Sequence, residues 1–180
     1  MRNSRRGAVD PFIVMDVMEA ARAAEEAGRH IIHMEVGQPG TAAPKGAREA
    51  LTKAMEQDAM GYTVALGLPE LRKRIAGLYG EWYNLDLDPK RVVVTPGSSG
   101  AFILAFTALF ESGDRVAIGE PGYPSYRQIL KALDLVPVGL ATKPENRLQP
   151  VPVDFADLDI EGVLVASPAN PSGTMLDRGA

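Results

Sequence analysis

Three short stretches hold residues whose types suit one another chemically. In "VVVTPGSSGAFILAFTALF", Val92 to Phe110, a β-branched run stops at Thr95-Pro96-Gly97, two serines follow, and a long apolar run begins. A strand, a Gly/Ser turn and a helix start make an anion site, because the first helical amides lack intrahelical partners and the helix dipole favours negative charge. Small residues let a phosphate approach the backbone, and Ser98 and Ser99 add hydroxyl donors. No lysine follows the glycine, so this is not a triphosphate-binding P-loop, and it is not G-x-G-x-x-G either. A serine-capped helix after a tight turn would carry the same letters.

The second stretch, "GEPGYPSY", ends an apolar run and delivers Tyr123 and Tyr126 to the same edge. An aromatic beside a phosphate site can stack on a planar ring, although a tyrosine at a strand end can equally be packing. The third, "ASPANPSGT", places Ser167-Pro168 and Asn170-Pro171 after another apolar run. Two X-Pro bonds this close favour a cis peptide. Asn170 can point its amide at a ring oxygen, and "NPSG" is also an ordinary turn. The two histidines, His30 and His33, lie in "HIIHMEV", which alternates like a strand. With no cysteine in the chain, no metal site is expected.

The elements that must position these residues follow from periodicity. "DPFIVMDVMEAARAAEEAG" reads as a helix with Asp10 as N-cap, Pro11 at its first position and Gly28 at its end. Ile13, Val14, Val17, Met18 and Ala21 share one of its faces. "HIIHMEV" reads as a strand and "PKGAREALTKAMEQ" as a helix, while "GYTVALG" is irregular. "LPELRKRIAGLYGEWY" is an amphipathic helix with Leu71, Ile75 and Leu78 on one side and Arg72, Lys73 and Arg74 off it. Strands and helices then alternate: "RVVVT", "SSGAFILAFTALFE" closed by Gly113, "DRVAIGEP", "SYRQILKALD", "LVPVGL", a polar loop "ATKPENRLQP", and "GVLVAS". Alternation at this spacing predicts βαβ units and a mainly parallel sheet buried on both faces. Each of the three chemical stretches falls at the C-terminal end of an expected strand, where open α/β sheets bind ligands.

Composition narrows the partners. A chain of 180 residues, 46% hydrophobic and 23% charged, is an ordinary globular sequence. A net charge of −4 gives no footprint for nucleic acid. The Arg2, Arg5, Arg6 cluster reads as a solvated, disordered start. It is not followed by a signal-type apolar region, and no run is long enough to span a membrane. The expected location is the cytoplasm.

Taken together, "GQPG", "GYTVALGLPELRKRIAGLY", "VVVTPGSSGAF", "RVAIGEPGYPSYR" and "ASPANPSGT" resemble, in order, the N-terminal part of a class I/II pyridoxal-phosphate-dependent aminotransferase of fold type I. The resemblance covers nearly everything from about Ile31 onward. It implies an incomplete three-layer α/β/α large domain with a mainly parallel sheet, preceded by an N-terminal helical arm. Residues 1–36 would be the arm and part of a small domain, and residues 37–180 the beginning of the cofactor domain. Ser98 and Ser99 match the phosphate cradle, Tyr123 the aromatic that stacks on the pyridine ring, and Asn170 the amide on the ring's phenolic oxygen. Tyr62 matches the tyrosine that reaches the phosphate of a neighbouring subunit's cofactor, which implies a homodimer with a shared active site. Gly37 matches the backbone near the substrate's α-carboxylate. Read without the resemblance, Tyr62 and Gly37 are plain turn residues.

The family's chemistry also needs a Schiff-base lysine, an aspartate on the pyridinium nitrogen and an arginine for the substrate carboxylate. In the family these lie downstream of the "NPSG"-type motif. Lys45, Lys53, Lys73, Lys90, Lys131 and Lys143 all precede it here, in helix-surface or polar-loop contexts, and none is nominated. The expected reaction is amino-group transfer between an amino acid and a 2-oxo acid, with no catalytic residue in this stretch. The chain is expected to be a piece of a longer enzyme, inactive alone and either poorly stable or strongly self-associating. A pyridoxal-phosphate lyase of the same fold, a non-catalytic relative that binds the cofactor or an amino acid, and a flavodoxin-like or nucleotide-binding domain are the alternatives.

Overall fold

The computed structural model describes residues 4–177, so Arg2 of the basic cluster and the last three residues lie outside the described residues. The chain divides into two compact units, one of residues 1–13 and 96–180 and the other Val14–Thr95. Its elements are α1 (Ile13–Glu26), α2 (Lys45–Gln57), α3 (Pro69–Tyr83), α4 (Gly97–Leu109), β1 (Arg115–Glu120), α5 (Pro124–Ala132), β2 (Val136–Ala141) and β3 (Gly162–Leu164).

In the unit that contains residues 96–177, the strands form a parallel sheet in the order β2-β1-β3. Parallel neighbours need a crossover, and α5 supplies it between β1 and β2. Val116, Ala117 and Ile118 of the central β1 are all buried, so both faces of this strand are covered. On one face Val116 and Ile118 join Phe106, Leu130 and Leu135, with Phe102, Phe110, Ile129, Leu133 and Leu164 packed around them. The core therefore lies between the sheet and the helices α4 and α5. The loop after β2 lies against the far end of β1, where a Cβ on Gly119 would meet Thr142 at 3.5 Å and Pro150 at 3.9 Å. The expected α/β class with a mainly parallel sheet is what forms.

The other unit is helical. Arg72 of α3 donates from Nε to the Val92 carbonyl at 2.7 Å and from Nη2 to the Pro89 carbonyl at 2.9 Å. The Val94 amide donates to the Leu66 carbonyl at 3.0 Å. These bonds explain why "RVVVT" is not the strand that its β-branched residues predict. The Val92 carbonyl is taken by an arginine, the Val92 and Val94 amides by the turns at Pro89 and Leu66, and residues 92–95 do not join the sheet. They also revise the reading of α3, whose inward stripe carries Arg72 and the buried Ala76, while Leu71 is exposed.

"HIIHMEV" likewise forms no strand. A strand is stable only against a partner, and Ile32 and Met34 stand in solvent. Asp10 is not the N-cap of α1, which starts at Ile13; its carboxylate pairs instead with Lys131 at 2.6 Å. Gly113 does not close α4, which ends at Leu109, but its amide donates to the Asp134 carbonyl at 2.8 Å in the turn into β1. Among the described residues, no helix is long and apolar enough to cross a membrane.

Candidate functional site

The start of α4 is shaped for an anion. Gly97 has φ +74°, a conformation costly for any residue with a Cβ. The residue at the N-cap position is Pro96, whose side chain makes no capping bond. Ser98 and Ser99 are thus inside the first turn rather than capping it, and both are exposed. The positive end of the helix dipole and the two hydroxyl-bearing residues thus share the first turn of α4.

Tyr123 is delivered by the turn after β1. The Glu120–Pro121 bond is cis, and a Cβ on Gly122 would approach the Gly119 carbonyl oxygen to 2.5 Å, so only glycine fits. Tyr123 then becomes the N-cap residue of α5, half-buried. Its ring stands edge-on to Phe12 at 6.1 Å and to Tyr126 at 5.4 Å between centroids. Tyr126 in turn meets Phe102 at 5.1 Å, and Phe102 lies one helical turn after Ser98. Tyr126 thereby links the α4 and β1 ends of the site, a role its sequence position did not reveal. Burial first, and then the nearby Tyr123, push its hydroxyl above the usual phenol range, so it stays protonated at neutral pH.

Asn170 lies on the loop after β3. Ser167–Pro168 and Asn170–Pro171 are both cis, as the paired X-Pro bonds suggested. The Ala169 amide donates to the Thr174 carbonyl at 2.8 Å and the Gly173 amide to the Ala169 carbonyl at 2.7 Å, closing the loop on itself. Asn170, Tyr126 and Gln149 line a cavity of about 30 Å³ at this end of the sheet, room for a water or two.

Ser98, Ser99, Tyr123 and Asn170 all belong to the unit with the sheet. Tyr62 and Gly37 belong to the other unit. There Tyr62 is fully exposed in the irregular segment before Gly67, and Gly37 lies in an exposed irregular segment.

Residues 29–180 match the family model for aminotransferase class I and II. The chain belongs to this family. Valine–pyruvate aminotransferase of Mycobacterium tuberculosis is 45% identical over 177 residues, which is 97% of this chain and 46% of that protein. A solved aminotransferase from M. tuberculosis superposes with a TM-score of 0.94 at 44% identity, over 99% of this chain and 47% of its own. A protein of Silicibacter pomeroyi, regarded as a candidate aminotransferase, superposes with a TM-score of 0.88 at 73% identity, over 100% of this chain and 46% of its own. The chain thus spans about half the length of the proteins it matches.

Aminotransferases of this family depend on pyridoxal 5′-phosphate, and the donor set here suits that group. A helix start that carries two exposed hydroxyls suits a phosphate, and a half-buried aromatic ring suits a pyridine. An exposed side-chain amide at the third strand end suits a phenolic oxygen. The lysines are differently placed. Lys45, Lys53, Lys73, Lys90 and Lys143 are exposed, and half-buried Lys131 is engaged by Asp10. Among the described residues no cluster of three or more His, Cys, Asp or Glu side chains gathers as a metal site.

Proposed function

We propose that this chain is the N-terminal, cofactor-binding portion of an aminotransferase that moves an amino group between an amino acid and a 2-oxo acid. The observation that supports it most is that the α4 start, the Tyr123 turn and the Asn170 loop belong to one unit, with Tyr126 touching Phe102 of α4 and lining a cavity with Asn170. Bound pyridoxal phosphate supplies an electron sink for chemistry at the substrate's α-carbon. Ser98, Ser99 and the first amides of α4 hold the phosphate. Tyr123 covers one face of the ring and limits water there. Asn170 donates its amide to the ring oxygen and favours the ionised form of that oxygen. In this reading residues 1–36 form the arm and part of a small domain, and residues 37–180 open the large domain.

The catalytic lysine, the aspartate and the carboxylate-binding arginine are not assigned to any residue here. Gly37 lies by the substrate carboxylate, and Tyr62 serves the cofactor of a second subunit, which makes the working form a homodimer. Its setting is the cytoplasm and its role amino-acid metabolism. The relative named for valine and pyruvate makes that pair the first to try.

The test is to incubate the full-length protein with pyridoxal phosphate, ¹⁵N-valine and pyruvate, and to follow the label by mass spectrometry. Labelled alanine is expected. No transfer of label from valine, together with release of ammonia and a 2-oxo acid from a sulfur amino acid such as cystathionine without any added 2-oxo acid, would point to a lyase and overturn the reading.

A further inference from the structure

Gln149 is the one buried polar side chain among the described residues that form the core, at 4% exposure. It sits in the polar loop after β2, where a glutamine would ordinarily face water. The turn that sends it inward is unusual. Arg147 and Leu148 both have positive φ, 56° and 57°, and Pro150 follows. Gln149 Nε2 donates to the Ala166 carbonyl at 3.3 Å, the Thr174 carbonyl at 2.8 Å and Thr174 Oγ1 at 3.2 Å. Carbonyl oxygens only accept, so the NH₂ end of the amide must face them.

The two carbonyls lie on opposite legs of the loop that holds Asn170. Ala166 precedes the cis Ser167–Pro168 bond, and Thr174 follows the cis Asn170–Pro171 bond. One amide therefore ties the loop's entry to its exit. The bonds from Ala169 to Thr174 and from Gly173 to Ala169 then close the loop between them. Arg147 adds a neighbouring tie, donating to the Met175 carbonyl at 3.0 Å and to Asp177 at 2.9 Å. Asn170 itself is exposed, and none of these bonds holds its side chain directly. The loop backbone alone must aim it.

From this geometry we infer that Gln149 is a positioning residue: it fixes the 166–174 loop so that Asn170 can address the ring oxygen of the bound cofactor. The inference rests on the cofactor reading above for its target, and on the hydrogen bonds alone for the clamp. A side chain of similar size without donors would take away the donor to the Ala166 carbonyl and leave the Thr174 carbonyl to the Ala169 amide alone, untying the loop's entry from its exit, and the loop would open locally.

The experiment compares wild-type full-length protein with Gln149→Leu and Asn170→Ala. Hydrogen exchange by mass spectrometry on cofactor-free protein reports the loop, with the peptide covering β1 as the fold control. Calorimetry compares pyridoxine 5′-phosphate with its analogue lacking the ring hydroxyl; neither carries an aldehyde that surface lysines could capture. In Gln149→Leu the loop peptide is expected to exchange about tenfold faster while β1 is unchanged. Its preference for the ring hydroxyl should fall to that of Asn170→Ala, with the phosphate still required. If β1 also speeds up, Gln149→Glu, which keeps the shape and loses the donors, carries the same test. Unchanged loop exchange, or an intact hydroxyl preference in a loosened loop, would overturn the inference. Absence of any hydroxyl preference in the wild type would instead sink the Asn170 reading and leave loop exchange to decide the clamp.

Discussion

The two units solve the burial problem differently. The unit with the sheet closes Val116, Ala117, Ile118, Leu130 and Leu135 away from water between strands and helices. The helical unit, Val14–Thr95, buries only Ala76 among its hydrophobic side chains to that degree. Its α2 exposes Leu51 and Met55, and its α3 exposes Tyr79, Trp82 and Tyr83. Soluble proteins rarely leave so many large apolar side chains open. Ser98, Ser99, Tyr123 and Asn170, the residues proposed to hold the cofactor, all sit on the unit that has a core. That placement fits the need of a binding site for rigid support. Tyr62 and Gly37, proposed to serve a second subunit's cofactor and the substrate, sit on the other unit.

The sharpest way to break the contrast is a pair of truncations. Leu130→Ala, at a fully buried position, is expected to cost about 2–5 kcal/mol in denaturant unfolding. Leu71→Ala, at 44% exposure, is expected to cost under about 1 kcal/mol. Equal costs would mean that the helical unit has a core after all. Limited proteolysis sharpens the same point: the first cuts are expected within residues 14–95, and first cuts within β1 or α5 would reverse the comparison.

The family and the α/β class were more legible in the sequence than the pairing of its strands. "DRVAIGEP" and "LVPVGL" became β1 and β2 because continuous apolar runs flanking a helix have few other ways to be buried on both faces. The turn after β1 was legible because Pro121 and Gly122 leave the backbone little choice. "RVVVT" and "HIIHMEV" misled for one reason: alternation and β-branching describe a side-chain environment, whereas a strand needs a hydrogen-bonding neighbour. Arg72, which reads as a surface charge on α3, took the backbone oxygens instead. Gln149 was hidden, and Tyr126 was legible at the strand end but not as a bridge to α4, because burial of a polar loop residue, or a ring bridging two elements, depends on contacts far apart in sequence.

Smaller effects test how the N-terminal segment joins the sheet unit. Gln128 donates to the Asp10 carbonyl at 3.2 Å and the Pro11 carbonyl at 3.3 Å, Lys131 binds the Asp10 carboxylate, and Phe12 meets Tyr123. The hydrogen bond from Lys131, then its charge, lower the Asp10 carboxyl below its ordinary value of 3.8. A lowered carboxylate stabilises above its unfolded value, and that contribution is lost as pH falls through the lower folded value. Asp10→Asn should therefore remove a small increment at neutral pH and change nothing in strong acid, read by melts across pH. An effect confined to strong acid would contradict the pair.

The smallest effect belongs to the helical unit. His33 lies between Glu35 at 2.6 Å and Glu25 at 2.9 Å, and those hydrogen bonds, Glu35 first, raise the imidazole to about 9. A raised histidine contributes fully below its ordinary value of 6.5, and the contribution fades as pH rises through about 9. An NMR titration should find the His33 ring still protonated at pH 7.5, and Glu35→Gln should bring its midpoint down. A midpoint near the ordinary value would show that the exposed cluster does not hold in solution.

The most direct test of the central claim, that the sheet unit cradles a phosphorylated pyridine at the start of α4, is calorimetric binding of pyridoxine 5′-phosphate against pyridoxine. Saturable binding that needs the phosphate is predicted. It should weaken about tenfold or more in Ser98→Ala, because a hydrogen bond to a charged group is worth roughly 1.5–3 kcal/mol. It should vanish in Ser98→Asp, which sets a carboxylate against the anion. Equal affinity for the two ligands, or binding indifferent to a charge at Ser98, would contradict the account.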